Sequence, residues 1–258
     1  MIDIAIQAAR EAGKILLQHM GNIQHIEIKD GQELNLVTEA DKESERRIIE
    51  IISAKYPDHS FLAEEGGSVR TASDYRWIID PLDGTTNYAH GLPLFSVSIG
   101  LECRGDLVAG VVYNPVSDEM FTAEAGGGAY LNGNRITVSA TSELSRSLLV
   151  TGFPYNVKSN PDHMVERFQA FLMSARGIRR LGSAALDCAF VACGRFDGFW
   201  EVWLNPWDLA AGAVLVREAG GRTSDFEGNP HRLDVPQWVA SNGLIHDQML
   251  EVLRRAAQ

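Results

Sequence analysis

Trp77-Ile78-Ile79-Asp80-Pro81-Leu82-Asp83-Gly84-Thr85-Thr86-Asn87-Tyr88 is the stretch on which the reading of this 258-residue chain turns. Trp77 to Ile79 is a short apolar strand that runs into Asp80-Pro81, and Pro81 has no N–H with which to continue a ladder. A turn at Pro81-Leu82 brings the carboxylates of Asp80 and Asp83 to one side. It also leaves the Leu82 carbonyl free to point inward. Gly84 permits close backbone approach, and the N–H groups of Gly84 and Thr85 are placed to face an anion as the chain enters a helical turn. Two unit charges ~5 Å apart repel by roughly 3 kcal/mol at an effective dielectric of 20. Either one carboxyl is protonated, then, or a cation lies between them. Oxygen ligands without nearby Cys or His select Mg²⁺ or Mn²⁺ over zinc.

Upstream, Ile2 to Met20 repeats its apolar residues at helical spacing and stops at Gly21. Thr38 to Ala54 reads as a second helix, opened by Thr38 with Asp41 three residues on. Downstream, Phe95 to Leu101, Leu107 to Val112, Met120 to Ala123, Ala129 to Leu131 and Arg135 to Ser139 read as strands. Asn132-Gly133 marks a hairpin before the last of them. An antiparallel sheet built from consecutive strands is expected. The second half alternates strand and helix: Ser147 to Thr151, Pro161 to Ser174, Ser183 to Cys193, Phe199 to Trp203, Asp208 to Ala219, Trp238 to Ala240 and His246 to Arg255. The fold class is α+β, a mixed α/β chain. A soft boundary falls between Ala140 and Ser145, giving 1–142 (N-terminal helices and antiparallel sheet) and 143–258 (an α/β half), packed tightly together.

Bulk properties restrict function. A net charge of -11 argues against a general nucleic-acid binder. It does not argue against an anionic substrate where metal ions intervene. The N-terminus has no signal-peptide apolar core, and no stretch approaches a membrane span. Cys103, Cys188 and Cys193 form no CxxC pair, which disfavours a disulfide framework or zinc ribbon. The default expectation is cytoplasmic. Cys188 and Cys193 read as core, and Trp200, Trp203 and Trp207 as core and interface. The seven histidines show no metal-ligand spacing.

Two further segments carry carboxylates: Ala63-Glu64-Glu65-Gly66-Gly67, and Trp207-Asp208 at the head of a late helix. Taken singly, each feature is more often structural than functional: a solvated loop for Glu64-Glu65, an N-cap for Asp208, a capping-box partner for Asp41. Taken together they look like the inositol monophosphatase family. Trp77 to Tyr88 resembles its first signature along its whole length. Trp207-Asp208-Leu209-Ala210-Ala211-Gly212 through Glu218-Ala219-Gly220-Gly221 resembles its second. Glu64-Glu65 and Leu36-Val37-Thr38 with Asp41 also fit.

The resemblance implies a layered αβαβα sandwich. It implies metal ligands at Glu64, Asp80, the Leu82 carbonyl, Asp83 and Asp208, holding two or three Mg²⁺, with Mn²⁺ as substitute. Asp41 and Thr85, together with Glu64, match the catalytic set that orients and deprotonates the attacking water. The backbone of Asp83, Gly84 and Thr85 matches the phosphate cradle. Gly182, Ser183, Ala184 and Glu201, with Leu82 and Asp208, match the substrate side. The implied reaction is hydrolysis of a phosphate monoester of a small polyol, inositol monophosphate first, without a phosphoenzyme. The implied assembly is a homodimer, and lithium inhibition is a family trait. Lys29 is a candidate for a mobile metal-associated lysine. Same-fold alternatives are fructose 1,6-bisphosphate, 3′-phosphoadenosine nucleotides and histidinol phosphate. The stretch Asp80 to Thr85 also resembles a phosphorylated-aspartate motif, although Gly84-Thr85-Thr86-Asn87 and Trp207-Asp208 fit that poorly. A regulatory protein- or RNA-associated role is the non-enzymatic alternative.

Overall fold

The computed structural model describes residues 1–21, 26–28, 36–230 and 232–256. Lys29 lies outside them. The chain runs α1 (Ile2–His19), β1 (Ile26–Ile28), β2 (Leu36–Thr38), α2 (Glu39–Lys55), β3 (Ser60–Ala63), β4 (Gly67–Val69), β5 (Tyr75–Asp83) and α3 (Thr85–Ala89). A meander follows: β6 (Ser96–Cys103), β7 (Asp106–Asn114), β8 (Glu119–Glu124), β9 (Gly128–Leu131) and β10 (Asn134–Ile136). The second half holds β11 (Leu148–Thr151), α4 (Met164–Ser174), β12 (Gly177–Arg179), α5 (Ala184–Ala192) and β13 (Gly198–Val202). It closes with α6 (Pro206–Glu218), β14 (Arg222–Ser224), β15 (Gln237–Ser241) and α7 (His246–Arg255).

An eight-stranded sheet has the order β10-β9-β8-β7-β6-β5-β3-β4, and a five-stranded sheet the order β12-β11-β13-β15-β14. The consecutive strands from β5 to β10 pair antiparallel, as their spacing predicts. The β3–β5 pair is parallel, which the expected antiparallel sheet did not include. The second sheet is mixed, with β11 parallel to β12 and β13 and antiparallel pairs beyond.

Successive side chains on a strand point to opposite faces, and that alternation builds the layers. Val111 joins the core beneath α1 and α2, whereas Val112 joins the core around α5 and α6. Val150, Phe199, Trp238 and Ala240 face α5 and α6. Their neighbours Leu149, Trp200 and Val239 face the third core, which includes Phe171 of α4 and Met249 of α7. The order is helix, sheet, helix, sheet, helix: the layered αβαβα sandwich. Close approach makes the central layer possible, since a Cβ on Gly110 would stand 2.5 Å from the Ala211 carbonyl oxygen of α6.

Local signals hold with small shifts. Thr38 and Asp41 form the expected capping box. Ser183 caps α5 by accepting from the Leu186 N–H. The helix expected from Pro161 begins at Met164, because Asp162 and His163 take left-handed φ of 54° and 53°. The helix expected from Asp208 begins at Pro206. Asp208 is therefore its third residue and the capping-box partner of Asn205, not the N-cap. Among the described residues no helix is long and apolar enough to cross a membrane.

Candidate active site

One end of the sandwich gathers the functional positions, because parallel neighbours deliver their C-terminal ends together. β3 runs parallel to β5, so Glu64, just past β3, lies near Asp80 to Asp83. β11 runs parallel to β13, so Gly152 and Glu201 meet. The heads of α5 and α6 bring Ser183 and Asp208 to the same place. A cavity of about 140 Å³ is lined by Glu64, Asp80, Leu82, Asp83, Gly84, Thr85, Gly182, Ser183, Ala184, Glu201 and Asp208. Every expected ligand and substrate-side residue is on that wall. Asp41 stands behind it, 3.4 Å from the Thr85 hydroxyl through its Oδ1.

Each residue is held from its own element. The β5–β6 register shifts between Asp80 and Asp83, which accommodates Pro81 and carries both carboxylates past the ladder. Asp80 accepts the Leu82 N–H at 3.0 Å. The Leu82 carbonyl accepts the Thr85 hydroxyl at 3.1 Å, so one of its lone pairs is already used. Gly84 has φ +98°, and a Cβ there would lie 3.0 Å from the Leu94 oxygen. Only glycine suits both demands. Asp83 accepts the Ser183 hydroxyl at 2.5 Å, the Ala185 N–H at 2.7 Å and the Ala184 N–H at 3.2 Å. A carboxylate from the first half thus sits on the N-terminus of α5, where the helix dipole favours negative charge. Asp41 Oδ2 accepts both the Thr38 N–H (2.9 Å) and hydroxyl (2.5 Å), which leaves Oδ1 for Thr85. The buried Glu45 of α2 accepts the Glu65 N–H at 2.8 Å and fixes the Glu64-Glu65 loop.

Burial and crowding dominate the electrostatics. Asp80 is raised well above the usual carboxylate range by burial, then by the charges of Glu64, Asp83 and Asp208. Asp208 is raised well above it by burial, Asp83 and Glu64. Burial lifts Asp83 to about 6 against the opposing hydrogen bonds from Ser183 and α5. Burial likewise lifts Asp41 to about 7 and Glu201 to about 8. Arg180 is the cation among the described lining residues. Among the described residues no three acidic, His or Cys side chains are drawn onto a single ligation point. Asp80, Asp83 and Asp208 instead each accept a protein hydrogen bond. The donor chemistry nevertheless fits a hard divalent cation: the donors are four carboxyl groups and a carbonyl, all oxygen, and the crowding that raises Asp80, Asp83 and Asp208 would be relieved by one.

Sequence reasoning missed several members of this wall, Arg180 among them. Asp187 lies one turn into the apolar helix α5, and both of its buried oxygens lack a protein partner. Tyr155 lies in a stretch without a motif. Trp203, expected in the core or an interface, is 53% exposed and lines the cavity. A helical-wheel reading that placed Asp187 on the same face as Ser183 would have raised that residue.

The sequence pattern of the inositol monophosphatase family matches residues 1–258. The chain belongs to that family. Among family relatives, the inositol-1-monophosphatase of Synechocystis is 45% identical over 100% of this chain and 90% of its own. The Nus factor SuhB of Pseudomonas aeruginosa is 44% identical over 94% of this chain and 91% of its own. The solved inositol monophosphatase of Anabaena superposes with a TM-score of 0.89 at 45% identity, covering 98% of this chain and 95% of that one. As a member of this family the chain is a phosphatase, a phosphoric monoester hydrolase.

Proposed function

We propose that this phosphatase hydrolyses the phosphate monoester of a small polyol, with inositol monophosphate as the first substrate, in a Mg²⁺-dependent reaction without a phosphoenzyme. The observation that carries the reading is the convergence of Glu64, Asp80, Leu82, Asp83 and Asp208 on one cavity that also holds Thr85 and Glu201. The same five residues would hold the ions, two or three of them, with Mn²⁺ as substitute. When bound, the ions supply Lewis acidity to the attacking water and to the leaving oxygen.

The chain's own groups do the rest. The Thr85 hydroxyl, its one hydrogen turned from the Leu82 carbonyl to Asp41, orients the attacking water, and Asp41 takes the water's proton through it. Asp41 Oδ1 is the oxygen for this, because Oδ2 is already occupied by Thr38. A water-oxygen-to-phosphorus bond forms, the ester P–O bond breaks, the leaving alkoxide takes a proton from solvent water to become the alcohol, and Asp41 returns its proton to solvent. The backbone of Asp83, Gly84 and Thr85 cradles the phosphate. Gly182, Ser183, Ala184 and Glu201 meet the polyol hydroxyls. The enzyme works as a cytoplasmic homodimer.

The test is turnover of a panel of phosphate monoesters by purified protein, with Mg²⁺ and with chelator. Inositol monophosphate leading a metal-dependent rank order supports the reading. Fructose 1,6-bisphosphate, a 3′-phosphoadenosine nucleotide or histidinol phosphate in first place replaces the substrate. Equal turnover in chelator removes the metal. A second reading, association with a transcription or RNA complex, draws on the relative named as a Nus factor. A pull-down with an Asp83→Asn variant tests it separately.

A further inference from the structure

Trp203 has φ +64°, in the left-handed region that a bulky residue seldom enters. It follows Glu201 by two residues and lies on the cavity wall. Two hydrogen bonds hold it there, and a third braces its partner. Its backbone N–H donates to the Pro236 oxygen at 2.6 Å. Its indole Nε1–H donates to Asp162 Oδ2 at 3.0 Å, and Asp162 Oδ1 accepts from Gln237 Nε2 at 3.1 Å. Asp162 is itself left-handed, with φ 54°. One strained residue clamped by another marks a position that its surroundings over-determine. With the indole N–H satisfied by Asp162, the ring has only its π surface left to offer.

One side of the wall is suited to charge and hydroxyls, with Glu64, Asp80, Asp83, Asp208, Asp187 and Glu201, and Phe153, Pro154, Tyr155 and Leu204 give it an apolar part beside Trp203. A half-exposed indole next to these residues, facing the carboxylates, suits a ligand that presents an apolar face as well as hydroxyls. A cyclic polyol does. Its hydroxyls lie around the edge, while its ring C–H groups, made slightly positive by the attached oxygens, form a flat face that suits the negative face of an aromatic ring. An open-chain polyol has no rigid face of that kind.

We propose that Trp203 is a specificity-determining residue. Its indole forms the apolar wall of the alcohol subsite and favours phosphate esters of ring alcohols over acyclic ones. The inference rests on the reading of the chain as a polyol phosphatase, and the experiment separates the two.

Kinetics of the full-length wild type, Trp203→Gly and Trp203→Phe are compared with Mg²⁺ on myo-inositol 1-phosphate and on glycerol 2-phosphate. Glycine adopts this φ without strain, so Trp203→Gly keeps or raises Tm and remains assayable. For the inositol ester, Trp203→Gly raises KM about 10-fold, the loss of one aromatic contact, with kcat nearly unchanged. For the glycerol ester both constants stay near wild type. Trp203→Phe recovers most of the loss. Equal changes on both esters, or none on either, overturn the proposal. So does a loss common to both esters accompanied by a change in oligomer size, which assigns the indole to contact between copies. Wild type that hydrolyses neither ester sinks the polyol-phosphatase reading itself. Wild type that hydrolyses both, with no shift in preference in Trp203→Gly, sinks only the role of Trp203.

Discussion

Replacing Glu201 by Gln removes an ionisable group from a place where its charged form is poorly solvated. Glu201 is 9% exposed at the end of β13, pressed against Gly152. Burial, and then the charge of Asp83, raises it from 4.5 to about 8, and Arg180 only partly opposes this. The folded form therefore holds a proton that the unfolded chain releases. The resulting stability is fully present below about pH 4.5 and is lost as pH rises through about 8. Each pKa unit is worth about 1.36 kcal/mol, so the upper bound on the loss is about 1.4 kcal/mol at pH 5.5 and about 5 kcal/mol at pH 8. Relaxation and water reaching the cavity reduce this, and about 2 kcal/mol at pH 8 is a working figure. Glutamine keeps the shape and carries no such loss. Thermal unfolding followed by circular dichroism, in chelator and from pH 5.5 to 8.5, measures the difference. Gln matches Glu in size, so the Gln variant should melt roughly 4–8 °C higher at pH 8. The gap should narrow steadily towards pH 5.5. A pH-independent gap, or a Gln variant that melts lower at pH 8, refutes the reasoning.

Three other outcomes are expected. Asp83→Asn lowers turnover at least ~10²-fold through loss of a site oxygen, and steady-state kinetics on a folded variant decides it. His246 is buried between the Ser224 and Ser241 hydroxyls at 2.8 Å each, and burial with Arg222 nearby lowers it to about 4. The folded form therefore stays neutral while the unfolded chain takes up a proton. Stability present above about pH 6.5 should fall by up to about 3 kcal/mol towards pH 4, and the slope should flatten in His246→Gln, as read from urea midpoints against pH. Gly110→Val drives a side chain into the Ala211 backbone 2.5 Å away, and should destabilise by about 1–3 kcal/mol in urea unfolding.

Elements with a clear period were legible in the sequence. α1, α2 and α7 carry apolar stripes at helical spacing, and β6 to β9 carry hairpin and turn signals between them. What escaped depends on partners. Gly67–Val69 is exposed throughout and has no alternation to read, and Gly177–Arg179 and Arg222–Ser224 are three residues each. Such strands exist because a neighbour offers an edge. β5 runs on through Pro81 because a register shift takes up the missing N–H, a tertiary accommodation that local propensity does not reveal. The carboxylate wall was legible because its members sit in recognisable motifs. Asp187 was hidden by the apolar residues around it, and Trp203 because a tryptophan in a β-rich run reads as core. Its left-handed backbone is imposed by Asp162 and Pro236, neither of which is near it in sequence.

The tie from Asp83 to Ser183, Ala184 and Ala185 spans about a hundred positions of chain. During synthesis the acidic loop leaves the ribosome long before the helix that neutralises it. Until that helix arrives, the nascent polypeptide carries an unanswered cluster of negative groups and no pocket. With the role proposed for Asp208, products of translation truncated before that residue should be inert.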